Sequence, residues 1–178
     1  MGLAKWSDGL IVTDTREQRP FWPDSERATL RTGDYSVARL ADVVAVERKS
    51  GADLLGSMGG RKSARRQRLL REFRRLSLMP FGAFVIECPA SGLYALPAWG
   101  RVTPAHAIGS LISWQQEYRV AVYWAESVAD ARQWTRTWLR QAWERATGRH
   151  AGKHDRPSCP CGGGEFLAHD GRWRHEES

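Results

Sequence analysis

Three valines and an alanine, Val43-Val44-Ala45-Val46, run without a break into Glu47-Arg48-Lys49. A short apolar run rich in β-branched residues reads as a buried strand. Side chains alternate along a strand, so Glu47 and Lys49 project together and Arg48 projects the other way. The chain must therefore build a core that buries this strand and still brings three charges to its end.

The residues around the strand add to that end. Gly33-Asp34-Tyr35 precedes it and offers another carboxylate, and Asp53 follows Lys49 by four residues. Two carboxylates suit a hard divalent cation, and a nearby ammonium can steer or activate a water. Acids and a lysine alone do not decide the matter, because surface ion pairs at strand ends use the same residue types.

The 178 residues are enough for one domain with a real core and a short appendage. No apolar stretch approaches the ~20 residues of a membrane helix. The N-terminus lacks the basic, apolar and small-residue layout of a signal peptide, so the expected location is intracellular, with no membrane partner. Cys88, Cys159 and Cys161 are too few for a disulfide framework. The net charge of +7 is concentrated between Arg61 and Arg75, where eight Arg and Lys residues meet one Glu. Such an excess suits a polyanion, with phosphate first, although a solvated helix face has the same composition.

The expected order of elements begins with strands at Leu10–Thr13 and Tyr35–Ala38, with a loop over Gln18–Arg31 because of Pro20 and Pro23. The charged strand ends near Lys49. A short helix follows Ser50-Gly51, and a longer one spans Arg61 to Leu78, stopped by Pro80. On it Arg61, Arg65, Arg68 and Arg75 share a stripe beside Leu69, Phe73 and Leu76. Phe81–Glu87 reads as a strand and Leu93–Arg101 as a loop. A helix capped by Thr103 runs to Tyr118, a strand covers Val120–Trp124, and a last helix capped by Ser127 ends at Gly148. This order predicts an α/β fold with a mixed central sheet flanked by helices. Residues 1–147 form the expected main domain, and residues 148–178 a Gly-, His- and Cys-containing tail.

Taken together, Asp14-x-Arg16-Glu17, Gly33-Asp34-Tyr35, Glu47-Arg48-Lys49-x-x-x-Asp53-Leu54, Gly56-Ser57, Gly60-Arg61 and Val85-Ile86-Glu87 resemble the XPF-type nuclease domain, named for xeroderma pigmentosum group F. The resemblance covers about residues 10–145. It implies a restriction-endonuclease-like core and a Mg²⁺- or Mn²⁺-dependent endonuclease that cuts flap, fork or Holliday-junction DNA in repair and recombination. Carried over by position, Asp34, Glu47 and Asp14 are the expected metal ligands. Lys49 is expected to position the water or stabilise the phosphate charge. Arg48 and Asp53 belong to the catalytic motif, as a phosphate binder or carboxylate partner and as a helix cap. Arg16, Arg61, Lys62, Arg65 and Arg68 are the expected DNA contacts. Many family members add a tandem helix-hairpin-helix or helicase domain. These 178 residues have no room for either, so the expectation is a stand-alone nuclease suited to a phage or bacterium. Two rival readings stay open: a less selective nuclease of the same fold, exonuclease or restriction-type, and a non-catalytic DNA-binding subunit.

Two further signals remain. Trp134 and Trp138 share a face of the last helix, Leu139 and Trp143 form the next stripe, and Trp114 adds a ring from the helix before. Core packing is the first expectation for these rings, a homodimer interface the second and base stacking the third. In the tail, Cys159, Cys161, His169 and His175 offer a set for Zn²⁺, although Cys-x-Cys is shorter than the usual Cys-x-x-Cys; a disordered tail is the alternative.

Overall fold

The computed structural model describes residues 5–59, 63–97, 102–149, 165–167 and 173–175. Six strands form one mixed sheet: β1 (Ile11–Asp14), β2 (Glu26–Ala28), β3 (Tyr35–Val37), β4 (Val44–Lys49), β5 (Phe81–Ile86) and β6 (Ala121–Trp124), in the spatial order β2-β1-β3-β4-β5-β6. β3 runs antiparallel to both β1 and β4, whereas β5 is parallel to β4 and β6 to β5. The charged strand is thus interior, as its apolar run requires.

Alternation along β4 divides the core into two layers. Val44 and Val46 face a cluster with Tyr35, Val85, Leu139, Ala142 and Trp143. Ala45 faces the other cluster, with Leu54, Leu69, Phe73, Phe84 and Leu111. Helices α1 (Gly51–Ser57), α2 (Ala64–Leu76) and α3 (Pro104–Tyr118) cover this second face, and α4 (Val128–Ala146) covers the first. The helices start at side-chain caps: Ser50, Ser63, Thr103 and Ser127 each accept a backbone N–H from the third residue onward. α2 buries Leu69, Glu72, Phe73 and Leu76 and leaves Arg65, Arg68, Arg71, Arg74 and Arg75 outside.

Three expectations need correction. The Gln18–Arg31 loop contains β2, which pairs parallel to β1 with Val12 opposite Glu26. Glu26-Arg27-Ala28 carries no apolar alternation, because an edge strand exposed to solvent needs only its backbone bonds. The long helix begins at Ala64, where Ser63 caps it, and ends at Leu76; the expected start at Arg61 lies outside the described residues. The expected loop at 93–101 begins with a 3-10 turn, Ala90–Ala95. In the tail, β7 (Glu165–Leu167) and β8 (Trp173–His175) pair antiparallel.

Trp114 and Trp143 are buried, and Trp143 packs 5.9 Å from Trp6. Trp134 is half-buried, stacked between Tyr123 at 4.8 Å and Trp138 at 5.2 Å.

Candidate active site

Gly33 explains why Asp34 can meet β4. Its φ is +76°, a conformation that favours glycine, and a Cβ there would come within 2.9 Å of the Val46 carbonyl. This close turn lets the Asp34 N–H donate to that carbonyl at 2.8 Å, while the Asp34 carbonyl accepts the Asp14 N–H at 2.8 Å. The antiparallel register sets Tyr35 opposite Val46, which brings Asp34 alongside Glu47. Asp34 Oδ2 accepts the Arg48 backbone N–H at 2.8 Å.

The two carboxylates share one strained environment. Burial pushes the Asp34 carboxyl up to about 6, with the Glu17 and Asp14 charges adding, against the Arg48 N–H and the Lys49 charge. Burial also raises Glu47 well above its ordinary value; Asp34 and then Glu72 raise it further, and Lys49 and Arg75 oppose. Acids that resist ionising together are what a cation would relieve.

Glu72 is the residue that sequence reasoning missed. It is buried on α2, and its Oε2 accepts no hydrogen bond among the described residues. The Lys49 ammonium stands 3.8 Å from that oxygen. Lys49, Glu72, Asp53, Arg65 and Arg68 line a cavity of about 390 Å³ between α1 and α2. The signal was present: Glu72 lies three residues after Leu69 and beside Phe73, on the apolar side of an arginine-rich helix.

Asp14 is placed on the same sheet and is already engaged. Oδ1 accepts the Arg16 backbone N–H and Nε at 2.8 and 2.7 Å, and Oδ2 accepts Arg16 Nη2 at 2.9 Å and the Leu30 N–H at 2.7 Å. Burial alone would raise this carboxyl, but those hydrogen bonds outweigh it and hold it below its ordinary value. Arg16 therefore clamps Asp14 and also donates to the Leu30 carbonyl at 2.8 Å.

Arg48 goes to the opposite face, as alternation requires. Its Nε donates to Glu87 at 2.7 Å, its Nη1 lies 3.3 Å from Glu17 and donates to the Arg19 carbonyl, and its guanidinium covers the Phe21 ring at 4.5 Å. Of the two roles expected for it, the structure displays the carboxylate partnership. Asp53 sits in the first turn of α1, where its N–H donates to the Ser50 cap at 3.1 Å and its Oδ2 accepts the Ser50 hydroxyl at 2.8 Å.

Comparison with known proteins gives the arrangement its family. The ERCC4 domain model matches residues 13–137, well over half of the chain and every element from β1 into α4. The chain belongs to the ERCC4 family of XPF-type nucleases. The fold is that of XPF from Aeropyrum pernix, at TM-score 0.58 and 19% identity over 78% of this chain and 67% of that one. XPF from the same organism in complex with DNA matches at TM-score 0.56 and 19% identity, over 76% of this chain and 65% of that one. The chain thus spans about two thirds of those structures. No curated protein matches it.

Within this ERCC4 domain, Asp34, Glu47 and Lys49 converge at the end of β4, with Glu72 beside them. Among the described residues, no three His, Cys, Asp or Glu groups form a ready metal cluster. The donor set still fits Mg²⁺ or Mn²⁺, since Mg²⁺ is commonly held by one or two carboxylates together with waters and substrate phosphates. Arg65 and Arg68 reach the same cavity as Lys49. Arg61, Lys62, Cys159, Cys161 and His169 lie outside the described residues, as does the side chain of His175.

Proposed function

We propose that this ERCC4 domain is a metal-dependent DNA endonuclease that hydrolyses phosphodiester bonds in branched DNA. The observation that carries the reading is the pairing of Asp34 and Glu47 across the β3–β4 register, two carboxyls pushed up by burial, with Asp34 raising Glu47 further, beside the Lys49 ammonium. Mg²⁺ or Mn²⁺ bound by these carboxylates would supply a nucleophilic water at neutral pH and Lewis-acid stabilisation of the phosphate. Lys49 offsets the negative charge that grows on the phosphorus oxygens, and Glu72 keeps its ammonium on that face. Arg65 and Arg68 bind backbone phosphates at the rim and set the strand's path without reading its sequence. Asp14 acts mainly by holding Arg16 and the Leu30 turn in place.

The branched substrate and a homodimer are finer parts of the same reading. The half-buried ladder of Tyr123, Trp134 and Trp138 is the face on which a second copy would pair. Sedimentation of the wild-type chain against Trp134→Glu tests that pairing.

The deciding experiment compares flap, fork, four-way junction, linear duplex and single-stranded substrates in Mg²⁺, with and without EDTA. Asp34→Asn and Glu47→Gln should each abolish cleavage and leave DNA binding intact. Wild-type cutting by either variant would overturn the assignment of the site. Equal cutting of all five substrates would replace the branched-DNA reading with a less selective nuclease.

A further inference from the structure

A groove of about 980 Å³ lies on the sheet face opposite Lys49, between residues 19–22 and the first turns of α4. Its charges are only partly matched. Arg48 pairs with Glu87 at 2.7 Å, and Arg136 pairs with Asp8 at 2.7 Å. Arg19 and Arg132 also line the groove, both are exposed, and neither forms an ion pair among the described residues. The groove keeps two uncompensated positive charges, which suit a polyanion.

Its chemistry is also flat and amphipathic. The Arg132 guanidinium lies over the Trp22 ring at 5.6 Å. A planar guanidinium seated on one ring offers its other face to a second π-system, as arginines do for unstacked bases. Gln133 adds an amide donor and acceptor, and the exposed Val128 adds an apolar edge. The volume is at the top of the ~300–1,000 Å³ range of small-ligand pockets, ample for part of a single strand and too small to enclose a duplex.

The groove also reaches the candidate catalytic end. Arg19, Arg48 and Glu87 line a second cavity of about 430 Å³, which continues to Lys49, Ser50 and Asp53. A chain lying in the groove would pass around the end of β4.

We propose that this groove receives an unpaired strand of the DNA substrate, with phosphates near Arg19 and Arg132 and a base against the Arg132 guanidinium. That the paired part is cut at the other side of β4 rests on the nuclease reading above.

The test measures anisotropy of a fluorescein-labelled oligothymidylate and of a blunt duplex with the full chain in EDTA. In Arg19→Glu/Arg132→Glu, single-strand affinity should fall at least ~tenfold, and the log–log salt slope should shrink by roughly 1.4, about 0.7 for each lost phosphate contact. Duplex affinity should stay within about twofold, because Arg65 and Arg68 lie on the other face. Arg132→Lys, which keeps the charge and loses the plane, should give a several-fold loss; it remains decisive if melting curves show that the double reversal unfolds. Equal losses on both probes, no loss on either, or displacement of the oligothymidylate by poly-glutamate as readily as by itself would overturn the proposal. Cleavage of flap and fork substrates in Mg²⁺ separates the two readings. Wild-type cleavage with unchanged single-strand affinity in the variants sinks the groove alone, and the expected affinity loss with no wild-type cleavage of any branched substrate sinks the nuclease alone.

Discussion

Arg48→Met is the sharpest probe of what this motif arginine does. The Arg48 side chain is 13% exposed, and its partners Glu87 and Glu17 are 9% and 14% exposed. Methionine keeps most of the aliphatic stem and removes the guanidinium, with its charge and its contact to the Phe21 ring. Glu87 then stays buried without its cation, a loss that costs about 3–5 kcal/mol in comparable buried pairs. At roughly 2–4 °C per kcal/mol for a chain of this size, the melting midpoint should fall by about 6–20 °C. Arg48→Met/Glu87→Gln should recover much of that, because the second change removes the stranded charge. The assay is thermal denaturation by circular dichroism at pH 7.5, paired with duplex-DNA anisotropy well below both midpoints. Duplex binding should change by less than about twofold, since Arg48 faces away from Lys49 and α2. A midpoint within two or so degrees of wild type, joined to a large loss of duplex affinity, would refute the reasoning and make Arg48 a DNA contact.

Three other outcomes follow from the same geometry. The folded-state pKa of Asp34, about 6, lies above its ordinary 3.8, so the folded chain holds a proton that the unfolded chain releases as pH rises. This group's contribution to stability is greatest below about pH 4 and is lost as pH rises through 6. In EDTA, the melting midpoint of Asp34→Asn should therefore gain on wild type between pH 4 and 7.5; parallel curves would contradict the shift. Gly33→Ala forces a left-handed residue, at about 1–2 kcal/mol, and adds a clash with Val46; urea unfolding should show at least that loss, and nicking should fall with it as Asp34 moves. Glu72→Gln removes a charge that burdens Glu47 and weakens the hold on Lys49. It should lower turnover about tenfold, the scale of lost supporting contacts at metal sites, with DNA affinity and melting midpoint preserved or raised. Lost stability with unchanged turnover would make Glu72 purely structural.

The fold was legible where apolar periodicity and caps coincide. β4, β5 and α4 carry such patterns, and Ser63 marks the start of α2 better than the basic run before it. β2 was not legible, because an edge strand with exposed Glu26 and Arg27 owes its form to β1 rather than to its own residues. At the site, Glu47 and Lys49 share a face because alternation demands it, whereas Asp34 joins them through the Gly33 turn and the β3–β4 register. The capture of Asp14 by Arg16 could not be read from order alone, since the same two residues could serve DNA and metal separately. Glu72 was hidden by composition: one acid among eight bases looks like a solvated neutraliser until the Leu69–Phe73–Leu76 stripe is followed through it.

The two-layer core carries a consequence for the order of synthesis. Asp14, Asp34, Glu47, Lys49 and Glu72 all belong to the first half of the chain, while the wall behind Val44 and Val46 comes from Leu139, Ala142 and Trp143. A nascent chain that has just completed α2 holds every candidate catalytic residue, yet β4 still has one naked face and β5 has not been added. Domains fold largely as units as they leave the ribosome. Competence to attack DNA should therefore arrive late and all at once, when the last turns of α4 close over the sheet, and a fragment released before that point would carry the acids without their geometry.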